Sequence, residues 1–230
     1  MDVQQIIAWD KELLLMLNGS DSIVWDQLMF LATKTIVWVP FFFSLLYLVV
    51  KNSSAHKALL IIGCVAVCFA VSEGVSSGIC KPLVARFRPT HDPEIMGLVQ
   101  TVNGLKGGLY SFFSSHAANT FSLSFFLSLV VRHWLFTTSV FSWACFHTYT
   151  RIYLGLHFPG DILTGFCFGC LWGVTLYFIY CWLSRRWFPS HDYVSEECTI
   201  SGFSLLTVYI VALTFLLNLF GVMVGSFFLH

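Results

Sequence analysis

The sequence predicts an all-α, polytopic membrane protein: six transmembrane helices preceded by one amphipathic helix in the membrane interface. Three observations predict it. Hydrophobic residues make up 57% of the 230 residues and charged ones only 10%, where a soluble domain carries about 25% charged residues. Mean hydropathy is +0.78. Six apolar runs are each long enough, or nearly so, to cross about 30 Å of hydrocarbon at ~1.5 Å per residue. The length suits a single domain spanning 1–230, and a formal net charge of zero argues against a nucleic-acid surface.

Residues 1–22 read as the interfacial helix and the turn that ends it. Ile6, Trp9, Leu13 and Leu17 recur at helical spacing with Gln5, Asp10, Lys11 and Glu12 among them. The start lacks a basic segment, so no cleavable signal is expected and the first span directs insertion. The apolar runs cover residues 28–50, 58–79, 117–131, 134–149, 162–183 and 203–229. The third and fourth are short and are expected to extend into their flanks. In the second, Gly74 and Gly78 have the spacing that predicts close helix packing on that face. Residues 81–115 form the longest loop, and its Pro82, Pro89, Pro93, Gly104, Gly107 and Gly108 predict an irregular path.

Of eight cysteines, six lie inside apolar runs, Cys167 and Cys170 among them at redox-motif spacing. In a membrane helix that spacing reads as packing. Cys80 and Cys198 fall on opposite predicted faces, so no disulfide is expected.

Six crossings place Lys51, Arg132, Arg185 and Arg186 on one side and the acid-rich N-terminal segment on the other. By the positive-inside rule the first side is cytoplasmic. The same count puts three polar clusters together on the opposite face: residues 81–89, 113–116 and 150–161. Each alone has an ordinary reading, as a snorkelling basic anchor, a helix cap, or a self-neutralising interfacial loop. Together they bring the cations Lys81, Arg88 and Arg151, the histidines His116 and His157, the carboxylate Asp161 and a free helix N-terminus to one place, where a phosphate could bind. Asp161 lies four residues after His157, the arrangement of a base and the group that orients it. His91 with Asp92 and Glu94 offers the side-chain types of a metal site, but the loop is too irregular to prefer one.

These clusters resemble the three signature motifs of the type 2 phosphatidic acid phosphatase family, the membrane branch of the acid phosphatase and vanadium haloperoxidase superfamily. Lys81, Arg88 and Pro89 match the first motif in full. The second is met by Phe113-Ser114-Ser115-His116, with Phe for Pro and Ser for Gly; the third by Thr150-Arg151, His157 and Asp161, with Thr for Ser. Phe113 is expected to loosen the turn before the helix, and Ser115 to keep the backbone N–H while restricting φ. The resemblance implies that His157 attacks phosphorus to form a phosphohistidine, that Asp161 fixes its tautomer, and that His116 protonates the leaving oxygen. It implies that Lys81, Arg88, Arg151, Ser114 and the Ser115 amide cradle the phosphate, with no cofactor and no metal.

The implied substrate is a lipid phosphate, reached at the extracytoplasmic face of a bacterial inner membrane with the bilayer and that lipid as the only partners. The Phe-Phe-Ser-Ser-His-Ala-Ala form of the second motif is similar to that of small envelope enzymes that dephosphorylate lipid A. Lipid A therefore ranks ahead of undecaprenyl diphosphate and phosphatidylglycerophosphate. A non-catalytic lipid-phosphate binding or transport protein would need only the cations, so His116, His157 and Asp161 argue against it; a haloperoxidase is remote. Finally, Lys34 and Glu73, buried by position in the first and second runs, are expected to pair or to share a wet cavity beneath the phosphate site.

Overall fold

The computed structural model describes residues 2–187 and 198–228, so the last residue of the sixth run, Leu229, lies outside it. Among the described residues the regular elements are all helices, and strand-like pairing is confined to the isolated bridges Phe87–Tyr110 and Cys198–Ser204. The helices are α1 (Val3–Leu17), α2 (Ile23–Ala32), α3 (Val39–Lys51), α4 (Ala55–Val84), α5 (Ser115–Val131), α6 (Trp134–Tyr153), α7 (Pro159–Trp187) and α8 (Leu205–Ser226). By length and composition α4, α7 and α8 can each cross a membrane, and α2 with Thr35–Lys51 would make a fourth span if that bent pair is one. α5 is a shorter apolar helix, and α6 extends to Tyr153, beyond the run that marks it in the sequence.

The first run is not one helix. It bends by 70° at Thr33–Lys34. Breaking a helix inside a packed protein leaves carbonyls without partners. Here the Ala32 carbonyl accepts the Trp38 indole N–H at 2.8 Å and lies 3.2 Å from His147 Nδ1. Pro40 then sits in the first turn of α3, where its missing N–H is not needed. The bend overturns the Lys34–Glu73 pair, because Lys34 turns outward with its ammonium 4.3 Å from the Phe30 ring centroid. Glu73 instead accepts from Ser77, whose hydroxyl accepts from Lys81 at 3.0 Å.

Residues Gly74–Cys80 of α4 are π-wound. The wider turn shifts the helical register just before Lys81, a device common near functional sites. Below the site the core is aromatic: Trp38 meets Phe41, Trp143, Phe146 and Phe215 at centroid distances of 6.3–6.5 Å.

Close packing lies elsewhere than the sequence suggested. A Cβ at Gly74 or Gly78 would meet nothing within 4 Å. The helices that touch most intimately are α5 and α7, through Gly165, Gly169 and Gly173. A Cβ on these three would come within 2.7 Å of the Ser114 carbonyl oxygen, 2.9 Å of that of Ala118 and 2.6 Å of that of Ser122. This stripe fixes the helix that begins with His116 against the one that begins with Asp161. Gly169→Leu should therefore cost about 1–3 kcal/mol by overpacking, whereas Gly78→Ala should be near neutral. Thermal unfolding in detergent checks both.

At the far end, Ser201 donates to the Val131 carbonyl at 2.6 Å and the Ser204 N–H to Asn52 Oδ1 at 2.8 Å. These bonds gather the ends of α3 and α5 and the start of α8 opposite the polar clusters. The helix α1 forms as expected, with the Asp2 N–H bound to Gln5 Oε1. Its apolar Val3, Ile6, Trp9 and Met16 point outward, while Leu14 is buried in a small cluster with Ile95, Ile152 and Phe158. The polar residues Asp10 and Lys11 thus face the protein, and the exposed side carries these apolar side chains together with Gln4, Gln5 and Glu12. Among the described residues Cys64, Cys68, Cys80, Cys145, Cys167, Cys170 and Cys181 are free thiols.

Candidate active site

Four chain segments meet above the core. The end of α4 brings Lys81, and the loop after it brings Arg88. The start of α5 brings Ser114, Ser115 and His116. The end of α6 brings Arg151, and the turn into α7 brings His157 and Asp161. Every residue singled out in the three motifs lies here. Lys81, Arg151 and His157 are close enough to act electrostatically on His116, and Arg88 likewise on Lys81, Arg151 and His157.

His157 is buried in the turn after α6, where its own N–H and that of Leu156 both bond the Arg151 carbonyl, at 3.2 and 2.9 Å. Asp161, fully buried, lies one turn further on, in the first turn of α7. The direct His157 Nδ1–Asp161 Oδ2 distance is 3.6 Å, too long for a hydrogen bond. Ser111 fills the gap. Its hydroxyl donates to Asp161 Oδ2 and lies 3.3 Å from His157 Nδ1. Asp161 also accepts the Phe158 N–H at 2.9 Å and Arg86 at 3.1 Å. A buried carboxylate is tolerated because these three donors satisfy it. Burial, set against the Asp161 contact and reinforced by the Arg88 charge, lowers His157 from 6.5 to about 4. The ring is thus neutral at pH 7, with an unprotonated nitrogen.

The cations differ in how they are held. Arg88 bonds the Tyr110 carbonyl at 3.2 Å and the Leu156 carbonyl at 3.0 Å, and burial lowers its pKa. Lys81 has the Ser77 hydroxyl. Arg151 Nε is buried without a hydrogen-bond partner among the described residues. An uncompensated guanidinium is costly at such a place, and a bound anion would satisfy it.

The motif departures take on definite roles. Phe113 does not loosen its turn: it is buried, its ring is 5.2 Å from that of Phe168 on α7, and its carbonyl accepts from Ser76 at 2.7 Å. Packing replaces the rigidity of Pro. The Thr150 hydroxyl lies 2.6 Å from the His147 carbonyl and 3.0 Å from Thr33 Oγ1, tying α6 to the bend after α2. Ser114 caps α5, its hydroxyl accepting from the Ala117 N–H at 3.4 Å. Asp92 and Glu94, weighed above as metal ligands, instead each bind Lys11 at 2.8 Å.

Three contributors were not read from the sequence: Ser111, Arg86 and Asp10. Arg86 stood in the first basic cluster, but nothing local marked its partner. His147 was also passed over; its ring is 6.0 Å from that of His116 and stacks on Trp143 at 5.8 Å.

The sequence model of the PAP2 superfamily matches residues 58–188, which contain all three motifs. The chain belongs to that superfamily. It is also similar to two proteins named lipid A 4'-phosphatase. One, from Bacteroides thetaiotaomicron, is 40% identical over 172 residues, 74% of this chain and 76% of the relative. The other, from Porphyromonas gingivalis, is 31% identical over 211 residues, 89% of each. No solved structure matches the chain significantly. As a PAP2 protein with these relatives, it is a phosphoric ester hydrolase and a membrane lipid phosphatase.

Proposed function

We propose that this PAP2 protein is one membrane-embedded domain that removes phosphate from lipid A or a close relative of it, at the extracytoplasmic face of a bacterial inner membrane. The observation that carries the reading is a buried, neutral His157 backed by Ser111 and Asp161, beside an Arg151 whose buried Nε has no hydrogen-bond partner among the described residues. The matching relatives favour lipid A as the substrate. An apolar groove of about 320 Å³ between α3, α4 and α5, lined by Phe42, Leu46, Ile62, Phe69 and Leu127 with Thr35 at the helix bend, suits an acyl chain. Counting the shorter α5 and α6 as crossings beside the bent α2–α3 pair, α4, α7 and α8 makes six, which puts Lys51, Arg132 and Arg185 at one end, the cytoplasmic one by the positive-inside rule.

The chemistry follows from the hydrogen bonds. Ser111 gives its proton to Asp161, so its oxygen accepts from His157 Nδ1–H. That leaves the Nε2 lone pair free to attack phosphorus. The N–P bond forms as the P–O bond to the lipid breaks, and His116 donates a proton to the departing oxygen. The positive charge that grows on His157 is stabilised by Asp161 through Ser111. Lys81, Arg88, Arg151, the Ser114 hydroxyl and the Ser115 amide hold the equatorial oxygens. Water, deprotonated by His116, then hydrolyses the phosphohistidine and releases phosphate.

The test is phosphate release by purified protein from lipid A, polyprenyl diphosphate and phosphatidylglycerophosphate. Lipid A should be turned over fastest, and a chelator should leave the rate unchanged; no release from any of them would end the phosphatase reading. The acid limb of kcat/KM belonging to His157 should lie near pH 4, because the free enzyme needs that ring unprotonated. The substrate's own ionisation, titrated separately, is subtracted. A His157 limb at pH 6.5 or above would contradict the buried, neutral ring.

A further inference from the structure

We propose that Asp10, on the N-terminal helix, is a positioning residue for the catalytic carboxylate Asp161 and acts on it through Arg86. The proposal rests on the phosphatase reading above.

Arg86 is forked between two carboxylates. Its Nη1 donates to Asp161 Oδ1 at 3.1 Å and its Nη2 to Asp10 Oδ2 at 2.7 Å, while the guanidinium lies 3.9 Å from the Phe158 ring centroid. The shorter bond is the one to Asp10. The other Asp10 oxygen accepts the Gly160 N–H at 2.8 Å. One carboxylate from α1 therefore grips both the arginine that binds Asp161 and the N–H of the residue before Asp161. The approach is close: a Cβ on residue 160 would lie 2.8 Å from Asp10 Oδ2, so the carboxylate would have to shift. All three side chains are shielded, with 23% of Arg86, 12% of Asp10 and none of Asp161 exposed, so their charges are weakly screened.

The consequence for catalysis is electrostatic. Asp161 must stay able to stabilise the charge that grows on His157. Arg86 bound to Asp161 alone would neutralise that carboxylate and draw it toward Oδ1, away from Ser111. By sharing the guanidinium, Asp10 limits this pull and fixes its direction. Helix α1 has other anchors that bear no such relation to Asp161. Lys11 binds Asp92 and Glu94, and Asn18 donates to the Tyr153 carbonyl at 2.7 Å and the Gln100 carbonyl at 3.0 Å. Docking of the helix and tuning of Asp161 can therefore be separated.

The experiment uses the full chain in detergent with the substrate that the wild type turns over. Asp10→Asn keeps the shape and the acceptor for the Gly160 N–H, but turns an NH₂ toward Arg86. It should lower kcat ~10-fold, as loss of an orienting partner typically does, with KM changed less than ~2-fold. Lys11→Met, which loosens the same helix elsewhere, should leave kcat near wild type. Asp10→Asn added to Arg86→Gln should cost little more than Arg86→Gln alone, because both act through one group. If Asp10→Asn fails to fold, Asp10→Glu and Asp10→Gln differ only in charge, and the Glu variant should be the faster. Wild-type kcat in Asp10→Asn, an equal loss in Lys11→Met, additivity with Arg86→Gln, or equal rates for the Glu and Gln variants would each overturn the proposal. Inactive wild-type protein would instead remove the phosphatase reading on which it stands.

Discussion

His157→Ala should lower phosphate release at least ~10⁴-fold, while the protein should still insert and fold. The two effects separate because the side chain and the backbone of this residue do different work. The ring supplies the attacking nitrogen, and nothing else in the site can replace it: His116 is placed on the leaving-group side, and Ser111 is committed to Asp161. The backbone N–H bonds the Arg151 carbonyl at 3.2 Å and survives the substitution. Removing the ring leaves a small polar void, and Asp161 keeps Arg86 and the Phe158 N–H as donors. The measurements are turnover, thermal unfolding in detergent, and acid-stable against base-stable phosphoenzyme after rapid quenching. Phosphohistidine resists base and should be seen in wild type only. Activity above ~10% of wild type would remove His157 from the nucleophile role.

His116→Ala should harm a lipid or sugar phosphate by ~10²–10⁴-fold, and an activated aryl phosphate far less. A general acid matters in proportion to the basicity of the leaving oxygen. A sugar or alkyl oxygen departs only with a proton, whereas a nitrophenolate departs without one. His116 is partly open at the first turn of α5, and because Lys81 and Arg151 act on it, it takes up the proton it donates only when the phosphate anion is bound beside it. Dephosphorylation of the phosphohistidine by water also uses His116, so the aryl substrate should become limited by that second step and show a burst. Equal losses on both substrate types would remove His116 from the acid role.

The site was legible to different depths. Lys81, Arg88, His116, Arg151, His157 and Asp161 stood out because polar groups between long apolar runs are rare and expensive, and because alternate loops of a helical bundle must share a face. Ser111 was hidden because a serine in a Gly- and Pro-rich loop is ordinary; only the 3.6 Å gap between His157 and Asp161 gives it a task. Phe113 was misjudged by reading the loss of Pro locally, when a ring on α7 restores the rigidity from 55 residues away along the chain. The glycines were misplaced for a similar reason. Small-residue spacing occurs in both α4 and α7, and periodicity cannot say which stripe finds a partner in a helix that is apolar all round.

By itself, the sequence determined the membrane setting, the helical class and the candidate reacting groups. All three follow from local chemistry: apolar composition, run length, and residue types at fixed spacing. The tertiary structure decided which groups are joined. It broke the first run at Thr33–Lys34 and so dissolved the anticipated Lys34–Glu73 pair. It placed Ser111 between His157 and Asp161, and it brought Asp10 to Arg86 across 76 residues. The physical reason is range. A residue's cost in a membrane depends on its own chemistry and can be read one position at a time, but a hydrogen bond acts over about 3 Å in space. Which atoms come within that reach depends on packing angles, a π-wound turn and a bend that no short stretch of chain encodes.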